Sequence, residues 1–383
     1  MLFYGALGIW SVGLYLFKVK SNIVPLGLAF IGLLVAGLAV EPFLYSALIL
    51  EIAVIISVPM IAKVADPRIK GVSRYLIYFT IGMPFVLLAG WYLAGGEITP
   101  VNDEQLVQAA LLLGLGFVFW LAVFPFQSWV PLLSDETEPN EGLFILTLLP
   151  IAVVVLLLKY LNGFAWLRGY DTVFQALRLF GLIMVIIGSI WFSLQNNLRK
   201  AMGYLILVSS GFMIIAISLN SPNGYIVSTY FMLLRVVSFF VVSWTLVSME
   251  KVTGILKVDS LKYLFSTAPL LAIGFFISLF SLIGMPFTAG FPVMQSFLSE
   301  FAVYEPRLNI FVIISLTILS ITLIRWLFIS LTLSEDNKPY KLELPLHIFF
   351  ISCIFGLLII GIFPNLVYPH ISEIVNDLQF LVR

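Results

Sequence analysis

The sequence predicts an all-α polytopic membrane protein with about twelve transmembrane helices, in which two repeats each contain one broken helix. Of the 383 residues, 61% are hydrophobic and only 10% are charged, and the mean hydropathy is +1.10. A soluble fold could not cover so much apolar surface with so few charges. Two similar proline-containing segments, far apart in the chain, lie inside long apolar runs and predict one break in each half.

The predicted helices follow from apolar runs of about 20 residues, the length that crosses a bilayer core. Such runs occur at 2–17, 22–40, 43–63, 75–94, 107–133, 142–162, 173–194, 200–219, 224–249, 266–303, 308–333 and 345–367. The linkers between them are brief, and no stretch has the polar composition of a soluble domain. The whole chain, 1–383, is therefore interpreted as a single membrane domain, with a first repeat at 43–162, a second repeat at 173–333, and a C-terminal helix and tail at 345–383.

Two of these runs, 107–133 and 266–303, are too long for one straight crossing, and each contains a proline pair. In both, Pro-Phe is followed after four intervening residues by a second proline. Each proline removes a backbone donor and clashes with the preceding turn, so these two helices are predicted to break. The alternative is that the two segments resemble each other by chance, because prolines are commoner in membrane helices than in soluble ones. The predicted break residues are Pro125, Pro131, Gly284, Pro286 and Pro292.

Basic residues collect in alternate loops. Odd-numbered loops hold thirteen of the 20 lysines and arginines, whereas even-numbered loops and the C-terminal tail hold three. Because basic residues favour the cytoplasmic side, this asymmetry predicts that both termini lie on the outer side of the membrane. It holds only if each broken helix crosses the membrane once, since an extra crossing at Pro286 would move the loop of Lys338 to the outside.

The fifth loop, 134–141, departs from this pattern because its charged residues are all acidic. Acidic residues contribute little to membrane orientation, so the predicted topology stands. Two interpretations of this acidic loop remain open: a solvated connector, or a docking site for a basic segment of a partner protein.

A charge near the bilayer centre costs at least ~2.5–3.5 kcal/mol on insertion scales, so an ionisable residue there needs a partner or a function. Glu51 stands in the middle of the third run, either as a proton-transfer site or as a neutral carboxyl in one helix–helix hydrogen bond. Arg235, central in the ninth run, is always charged and must face a carboxylate, carbonyls at a helix break, or water. A structural tie to one of the broken helices is favoured over a transport role. Lys159, Arg178 and Arg325 lie nearer the ends of their runs and are interpreted as interface anchors.

Composition also bounds the chemistry. Two histidines and one cysteine are too few for a haem, an iron–sulfur cluster or a dedicated zinc site, so neither a cofactor nor a metal is expected. The net charge of zero gives no reason to expect a nucleic acid partner. Cys353 lies in an apolar run and is expected to pack as a small hydrophobic residue. The expected environment is the lipid bilayer, and no catalysis of bond making or breaking is expected.

Three motifs occur in a fixed order. The first break, Phe124–Pro131, resembles Pro-Phe-His-x-Trp-Leu-Pro; the second, in Ser281–Phe291, resembles Ser-Leu-x-Gly-x-Pro-Pro-x-x-Gly-Phe. Between them, Gln195–Tyr204 resembles Gln-x-Asn-Leu-Lys-Arg-x-x-Ala-Tyr. Glu51 matches a buried glutamate on the helix before a Lys-Tyr-Phe helix, whose start resembles Arg74-Tyr75-Leu76. With these motifs the chain resembles the antiporter-like membrane subunits of NADH:quinone oxidoreductase (complex I), a family shared with multisubunit sodium/proton antiporters and membrane-bound hydrogenases.

The resemblance implies a bundle of two inverted repeats, each with one broken helix. The family usually has fourteen spans, and the twelve predicted here fit if its first two are absent. The implied partners are other membrane subunits of a multisubunit oxidoreductase or antiporter. In such subunits a chain of buried lysines, a glutamate and water along the membrane midplane is thought to move protons when a neighbouring redox module shifts its electrostatics.

Most positions at which this family carries titratable groups have lost them here. An expected lysine is Trp120, an expected lysine or glutamate is Met294, and the lysine expected on the sixth run falls near Pro150-Ile151. The histidines expected in the first motif and after the middle motif are Gln127 and about Ser209, which can hold water but cannot store charge. The remaining candidates for a proton path are Glu51, Arg235, Gln127 and Ser209.

Several functional hypotheses follow. The favoured one is an antiporter-like membrane-arm subunit of a complex I-type, redox-driven proton-translocating oxidoreductase, with a degenerate or lost proton path and a structural role. A second keeps the translocating role, with Glu51 as the surviving titratable group. The alternatives are a subunit of a multisubunit cation/proton antiporter or of a membrane-bound hydrogenase, or a free-standing secondary transporter. The expected location is a bacterial inner membrane or an organellar energy-transducing membrane.

Overall fold

The computed structural model describes residues 1–41, 44–62, 70–94, 103–332 and 343–376, and these ranges are predominantly helical. The α-helices are α1 Leu2–Phe17, α2 Ile23–Ala39, α3 Leu44–Ile61, α4 Lys70–Ala94, α5 Asp103–Trp120, α6 Trp129–Glu136, α7 Pro139–Gly163, α8 Ala165–Gly169, α9 Asp171–Leu194, α10 Leu198–Ser218, α11 Pro222–Thr253, α12 Leu264–Thr267, α13 Pro269–Ile283, α14 Phe291–Tyr304, α15 Pro306–Ser330, α16 Leu344–Ile362 and α17 Tyr368–Asn376. Within the described ranges, β-pairing is confined to one isolated bridge between Asn197 and Lys257.

The predicted fold class, an all-α polytopic membrane protein, is confirmed. Seven helices in the described part of the chain are long and apolar enough to cross a membrane: α4, α7, α9, α10, α11, α15 and α16. Five shorter apolar helices, α1, α2, α3, α5 and α13, accompany them. The chain is therefore an integral, multi-pass membrane protein. The repeat boundaries at 43–162 and 173–333 stay a prediction.

Helices α7, α10 and α11 form the centre of the bundle. Most of their side chains are buried, and α7 and α10 both pack against α11. In the apolar parts of α4, α9, α15 and α16 only 22–39% of the residues are buried, so these helices lie at the periphery. The polar groups carried by the central helices are thus shielded from lipid on all sides.

The first broken helix is interrupted between α5 and α6. Helix α5 ends at Trp120, the chain turns with Ala122 at a positive φ of 57°, and a single 3₁₀ turn precedes α6. The Phe124–Pro125 peptide bond is cis. The sequence predicts Pro131 as a further break residue, but Pro131 lies in the first turn of α6, where a backbone N–H has no acceptor inside the helix. Pro131 therefore helps to begin a helix instead of breaking one.

The second broken helix is interrupted between α13 and α14. Gly284 caps α13 in the left-handed conformation, with φ at 74°, which strongly favours glycine. Pro286 lies in the connecting turns. The sequence also predicts Pro292 as a break residue, but Pro292 occupies the first turn of α14, where proline is well tolerated. Pro125 thus lies between α5 and α6, and Gly284 and Pro286 lie between α13 and α14.

Basic side chains satisfy the free carbonyls at several helix C-termini. Lys159 donates to the last turn of α2, Arg168 to that of α7 and Arg178 to that of α10. Lys251 and Arg325 donate to the last turns of α1 and α9, respectively. The last carbonyls of a helix have no intrahelical donor and carry partial negative charge. A lysine or arginine there donates the missing hydrogen bond and also offsets the negative charge. The predicted interface anchors Lys159, Arg178 and Arg325 thus have protein partners for their charged ends.

Candidate functional site

The first break contains Trp120 at a position where the resemblance leads one to expect a lysine. The indole is buried, and its Nε1 donates a hydrogen bond to the carbonyl of Phe79 on α4 at 3.1 Å. The Trp120 and Phe79 rings are nearly parallel, with centroids 6.0 Å apart. From the other side, Gly203 of α10 approaches so closely that a β-carbon there would lie 2.5 Å from the Cα of Pro131. Aromatic packing and close backbone contact fill this break.

Gln127 lies in the 3₁₀ turn of the first break and is half-buried. Its Oε1 is buried and has no hydrogen-bond partner among the described residues. The side chain borders a small pocket of about 10 Å³ between the break and helices α9 and α10, where Gly188 and Leu207 form the opposite wall. The pocket is at most the size of one water molecule. Gln127 and Ser209 are not hydrogen-bonded to each other in the structure, since Ser209 donates to Ile206 on its own helix.

The second break is filled by Met294, at the position where the resemblance leads one to expect a lysine or a glutamate. The side chain is buried, and its Cβ would lie 2.4 Å from a β-carbon added to Gly284. Thr288, in the break, donates to the carbonyl of Met285 at 2.6 Å, so its hydroxyl is satisfied within the turn. A thioether and an internally bonded threonine offer no group that titrates near neutral pH.

Arg235 of α11 forms the polar centre of the bundle and is only 1% exposed. Its Nη1 donates to Ser210 at 2.6 Å and to Ser209 at 3.1 Å, both on α10. Its Nη2 donates to the carbonyl of Leu146 on α7 at 2.6 Å. In the part of the chain that the structure describes, no carboxylate forms an ion pair with Arg235. Hydroxyls and carbonyls therefore solvate this guanidinium instead of a counter-charge.

The Leu146 carbonyl lacks a helical donor because a proline stands four residues after it in the sequence. Pro150, inside α7, has no N–H, so the carbonyl four residues before it loses its helical hydrogen bond. Arg235 supplies the missing donor. The prediction that Arg235 is tied to one of the two broken helices is wrong, because the guanidinium joins α7, which is continuous through Pro150, to α10. The signal that sequence reasoning missed is the four-residue spacing between Leu146 and Pro150.

Glu51 is hydrogen-bonded to Thr80 on α4, whose Oγ1 donates to Glu51 Oε1 at 2.5 Å. The second carboxyl oxygen is buried and has no hydrogen-bond partner among the described residues. Thr80 lies on the exposed surface of the chain, so the pair sits at the periphery of the bundle. Glu51 is not hydrogen-bonded to Arg235 or Gln127. The four proton-path candidates therefore do not form one connected cluster.

The acidic loop is bound by groups of the chain itself. Two of its acids form ion pairs: Asp135 lies 3.4 Å from Lys200, and Glu138 lies 3.8 Å from Arg199. Ser134 donates a hydrogen bond to the Arg199 carbonyl at 2.6 Å. Glu136 accepts from the Gly71 N–H and Glu141 accepts from the Ser21 hydroxyl, both at 2.6 Å. Arg199 also forms an ion pair with Glu250 of α11. This network ties α6 and α7 to α10 and α11.

Among the described residues, no group of three or more His, Cys, Asp and Glu side chains could hold a metal ion. The arrangement around the breaks consists of packed aromatic, aliphatic and hydroxyl groups. Two interrupted membrane helices, packed around a buried polar centre in one helical bundle, define an antiporter-like membrane subunit as the class of protein.

The family follows from the sequence match. Residues 48–322 match the family described as NADH:quinone oxidoreductase/Mrp antiporter, TM. Because the match covers most of the chain, the protein belongs to this family, and the resemblance predicted from the motifs is confirmed.

Curated relatives match over part of their length. NADH-quinone oxidoreductase subunit N 2 of Syntrophobacter fumaroxidans is 27% identical over 232 residues, which cover 58% of this chain and 49% of the relative. NADH-quinone oxidoreductase subunit 14 of Thermus thermophilus is 27% identical over 251 residues, which cover 62% of this chain and 54% of the relative. The chain thus spans about half the length of the curated relatives it matches.

Solved structures share the fold over nearly the whole chain. A chain of the archaeal membrane-bound sulfane sulfur reductase has a TM-score of 0.85 at 15% identity, covering 99% of this chain and 82% of that chain. A chain of respiratory complex I of Thermus thermophilus has a TM-score of 0.79 at 19% identity, covering 100% of this chain and 84% of that chain. A chain of the Mrp complex of Dietzia sp. has a TM-score of 0.77 at 13% identity, covering 100% of this chain and 85% of that chain. At these identities the likeness shows the fold alone.

Proposed function

We propose that the protein is an antiporter-like membrane-arm subunit of a complex I-type, redox-driven proton-translocating oxidoreductase, and that it has a structural role because its own proton path is lost. Membership of the family and the names of its relatives, NADH-quinone oxidoreductase subunits, support the assembly. The partners are other membrane subunits. The chain lies in a bacterial inner or organellar energy-transducing membrane with both termini on the outer side, an orientation supported by the distribution of basic residues.

The packing at the two breaks carries this proposal. Trp120 and Met294 stand where titratable groups are expected, and both are buried in close contact with neighbouring helices. A proton relay needs groups that exchange protons at hydrogen-bonding distance, with water between them. An indole bonded to a backbone carbonyl and a thioether packed on a glycine provide neither exchange nor space for water.

Arg235 supports the same conclusion. Its partners are two serines and the backbone carbonyls of Leu146 and Ile206, and arginine stays protonated in proteins. A permanently charged group held by four fixed acceptors cannot pass a proton along. It acts as a structural cross-link between α7, α10 and α11.

A second candidate function keeps proton translocation, and one observation favours it. Glu51 retains a carboxyl group within α3, and one of its oxygens has no hydrogen-bond partner among the described residues. A titratable group with a free oxygen at the edge of the bundle could exchange protons with a neighbouring subunit. A free-standing transporter is less well supported, because Thr288 at the second break is satisfied within its own turn.

Replacement of Glu51 by glutamine separates the two candidates. The amide oxygen still accepts from Thr80, so the change removes titration and little else. Under the structural role, the number of protons pumped per electron in membrane vesicles stays at the wild-type value, as it does in the surface control Glu343→Gln. A lower stoichiometry in Glu51→Gln alone, at normal levels of the assembled complex, contradicts the structural role.

The assembly itself is tested by purification in mild detergent. We expect the chain to elute with iron–sulfur and quinone-reducing subunits. Elution as a lone monomer or homodimer, from membranes in which the relevant oxidoreductase is intact, contradicts membership of such an assembly.

A further inference from the structure

A groove runs between α5 and α9, on the side of the first break that faces away from α4. Helix α5 packs on α4 and α7, whereas α9 packs on α10 and α15, and the space between α5 and α9 is left as a cavity of about 330 Å³. This volume lies in the range of small-molecule sites, about 300–1,000 Å³. Val107, Leu111 and Leu115 of α5 form its exposed edge, so the groove opens sideways, toward the lipid around the chain.

The wall of the groove is apolar along its length. It extends along α5 from Val107 to Leu121 at the first break, and the opposite wall on α9 runs from Thr172 to Phe180. At 1.5 Å per residue these stretches are about 21 and about 12 Å long. One leaflet of the hydrocarbon core is about 15 Å thick. The groove is therefore as deep as one leaflet, which is the depth reached by an acyl chain.

The rim of the groove carries charges of both signs. Nη1 of Arg168 lies 2.8 Å from the carbonyl of Leu161, which lines the groove. Asp171 is exposed between the lining residues Tyr170 and Thr172. Arg168 and Asp171, a cation and an acid near the start of α9, complement a headgroup that carries both a phosphate and an ammonium group.

We propose that the groove binds one acyl chain of an aminophospholipid, such as phosphatidylethanolamine, from the leaflet at the N-terminal end of α5. The headgroup lies at the rim, with its phosphate toward Arg168 and its ammonium toward Asp171. The acyl chain fills the space between α5 and α9 and replaces the direct packing that these two helices lack. The site is independent of whether the protein conducts protons.

Gly114 offers a selective way to close the groove. It lines the cavity, and a β-carbon added there would meet no atom within 4 Å. Gly116, two residues further along α5, faces α4 instead, where a β-carbon would lie 2.5 Å from Val86. Gly114→Leu therefore places its side chain in the groove without disturbing the contact with α4. Gly32→Leu on α2 is the matched control, because a β-carbon on Gly32 also meets nothing within 4 Å and lies outside the groove.

Native mass spectrometry tests the proposal on protein exchanged into detergent that contains phosphatidylethanolamine and phosphatidylglycerol in equal amounts. We expect the wild type and Gly32→Leu to retain one phosphatidylethanolamine per chain, and Gly114→Leu to lose it. As a second readout, added phosphatidylethanolamine raises the thermal midpoint of the wild type and of Gly32→Leu but leaves that of Gly114→Leu unchanged, since a ligand stabilises only a protein that binds it.

Several results overturn the proposal. Equal retention by Gly114→Leu and the wild type places the lipid elsewhere. Preferential retention of phosphatidylglycerol over phosphatidylethanolamine contradicts the headgroup assignment. A wild-type protein that retains no phospholipid, or a neighbouring subunit cross-linked to a photoreactive residue at position 111, shows that something other than an acyl chain covers the groove.

Discussion

Gly361 of α16 lies directly against the backbone of Thr288 in the second helix break. A β-carbon on Gly361 would lie 2.4 Å from the Thr288 carbonyl carbon and 2.6 Å from the carbonyl oxygen of Phe287. Both atoms belong to the backbone, so no side-chain rotation can relieve the contact. The break therefore depends on a helix that lies about 70 residues further along the chain, and the missing side chain of Gly361 is what allows the approach.

Gly361→Ala is expected to lower the thermal midpoint of the purified protein, because the added methyl group forces α16 away from the break. Gly356→Ala is the control on the same helix: a β-carbon there meets nothing within 4 Å. That control should keep or raise the midpoint, since alanine favours a helix over glycine by ~1 kcal/mol. Equal midpoints for the two variants, measured by fluorescence-detected size exclusion after heating, contradict the close contact.

Gly284→Ala separates backbone conformation from packing at the same break. Gly284 and Gly254 both have a left-handed backbone, with φ at 74° and 72°. Alanine in this conformation costs roughly 1–2 kcal/mol at either site. Only at position 284 does the new β-carbon also meet Met294, at 2.4 Å. We expect Gly284→Ala to be clearly less stable than Gly254→Ala, whose β-carbon meets open space. Equal losses of stability would mean that conformation alone requires the glycine at 284.

The ion pair between Arg199 and Glu250 is expected to contribute to stability, whereas the pair between Lys18 and Glu343 is not. The side chain of Arg199 is 15% exposed and that of Glu250 33%, against 74% and 62% for Lys18 and Glu343. Water screens the exposed pair, so its coupling energy should be near zero, within the ~0–1 kcal/mol usual for surface pairs. Double-mutant cycles with Arg199→Gln and Glu250→Gln, and with Lys18→Gln and Glu343→Gln, measure both couplings; a larger coupling in the exposed pair contradicts this account.

The sequence was sufficient to predict the two breaks but not how their prolines are used. Pro125 and Pro131 look equivalent in the sequence, since both remove a donor from an apolar run. Their difference depends on where the helix restarts, and that is set by packing against Gly203 of α10. Pro292 likewise begins α14. A proline in the first turn has no hydrogen bond to lose, so the same residue can break one helix or begin the next.

The candidate site shows the same limit. The loss of titratable groups at Trp120 and Met294 can be read from the sequence alone. The partners of Arg235 cannot, because the serines of α10 and the Leu146 carbonyl are 25 to 89 residues away along the chain. The acidic loop is a further case: its binding to Lys200 and Arg199 depends on α6 and α10 meeting in the bundle.

The link between Arg235 and Pro150 gives the sharpest test of a structural arginine. If the guanidinium serves mainly as the donor that Pro150 cannot provide, then Pro150→Ala should restore an N–H to the Leu146 carbonyl and make Arg235 less necessary. Arg235→Met is therefore expected to cost less stability in a Pro150→Ala background than in the wild type. The difference should be about 1–3 kcal/mol, the penalty for one unsatisfied buried acceptor. In a Pro59→Ala background, where the proline lies in α3 and is not expected to contact Arg235, the two changes should add. An equal cost of Arg235→Met in all three backgrounds, measured by chemical unfolding in mixed micelles, would show that the arginine does not substitute for the missing proline donor.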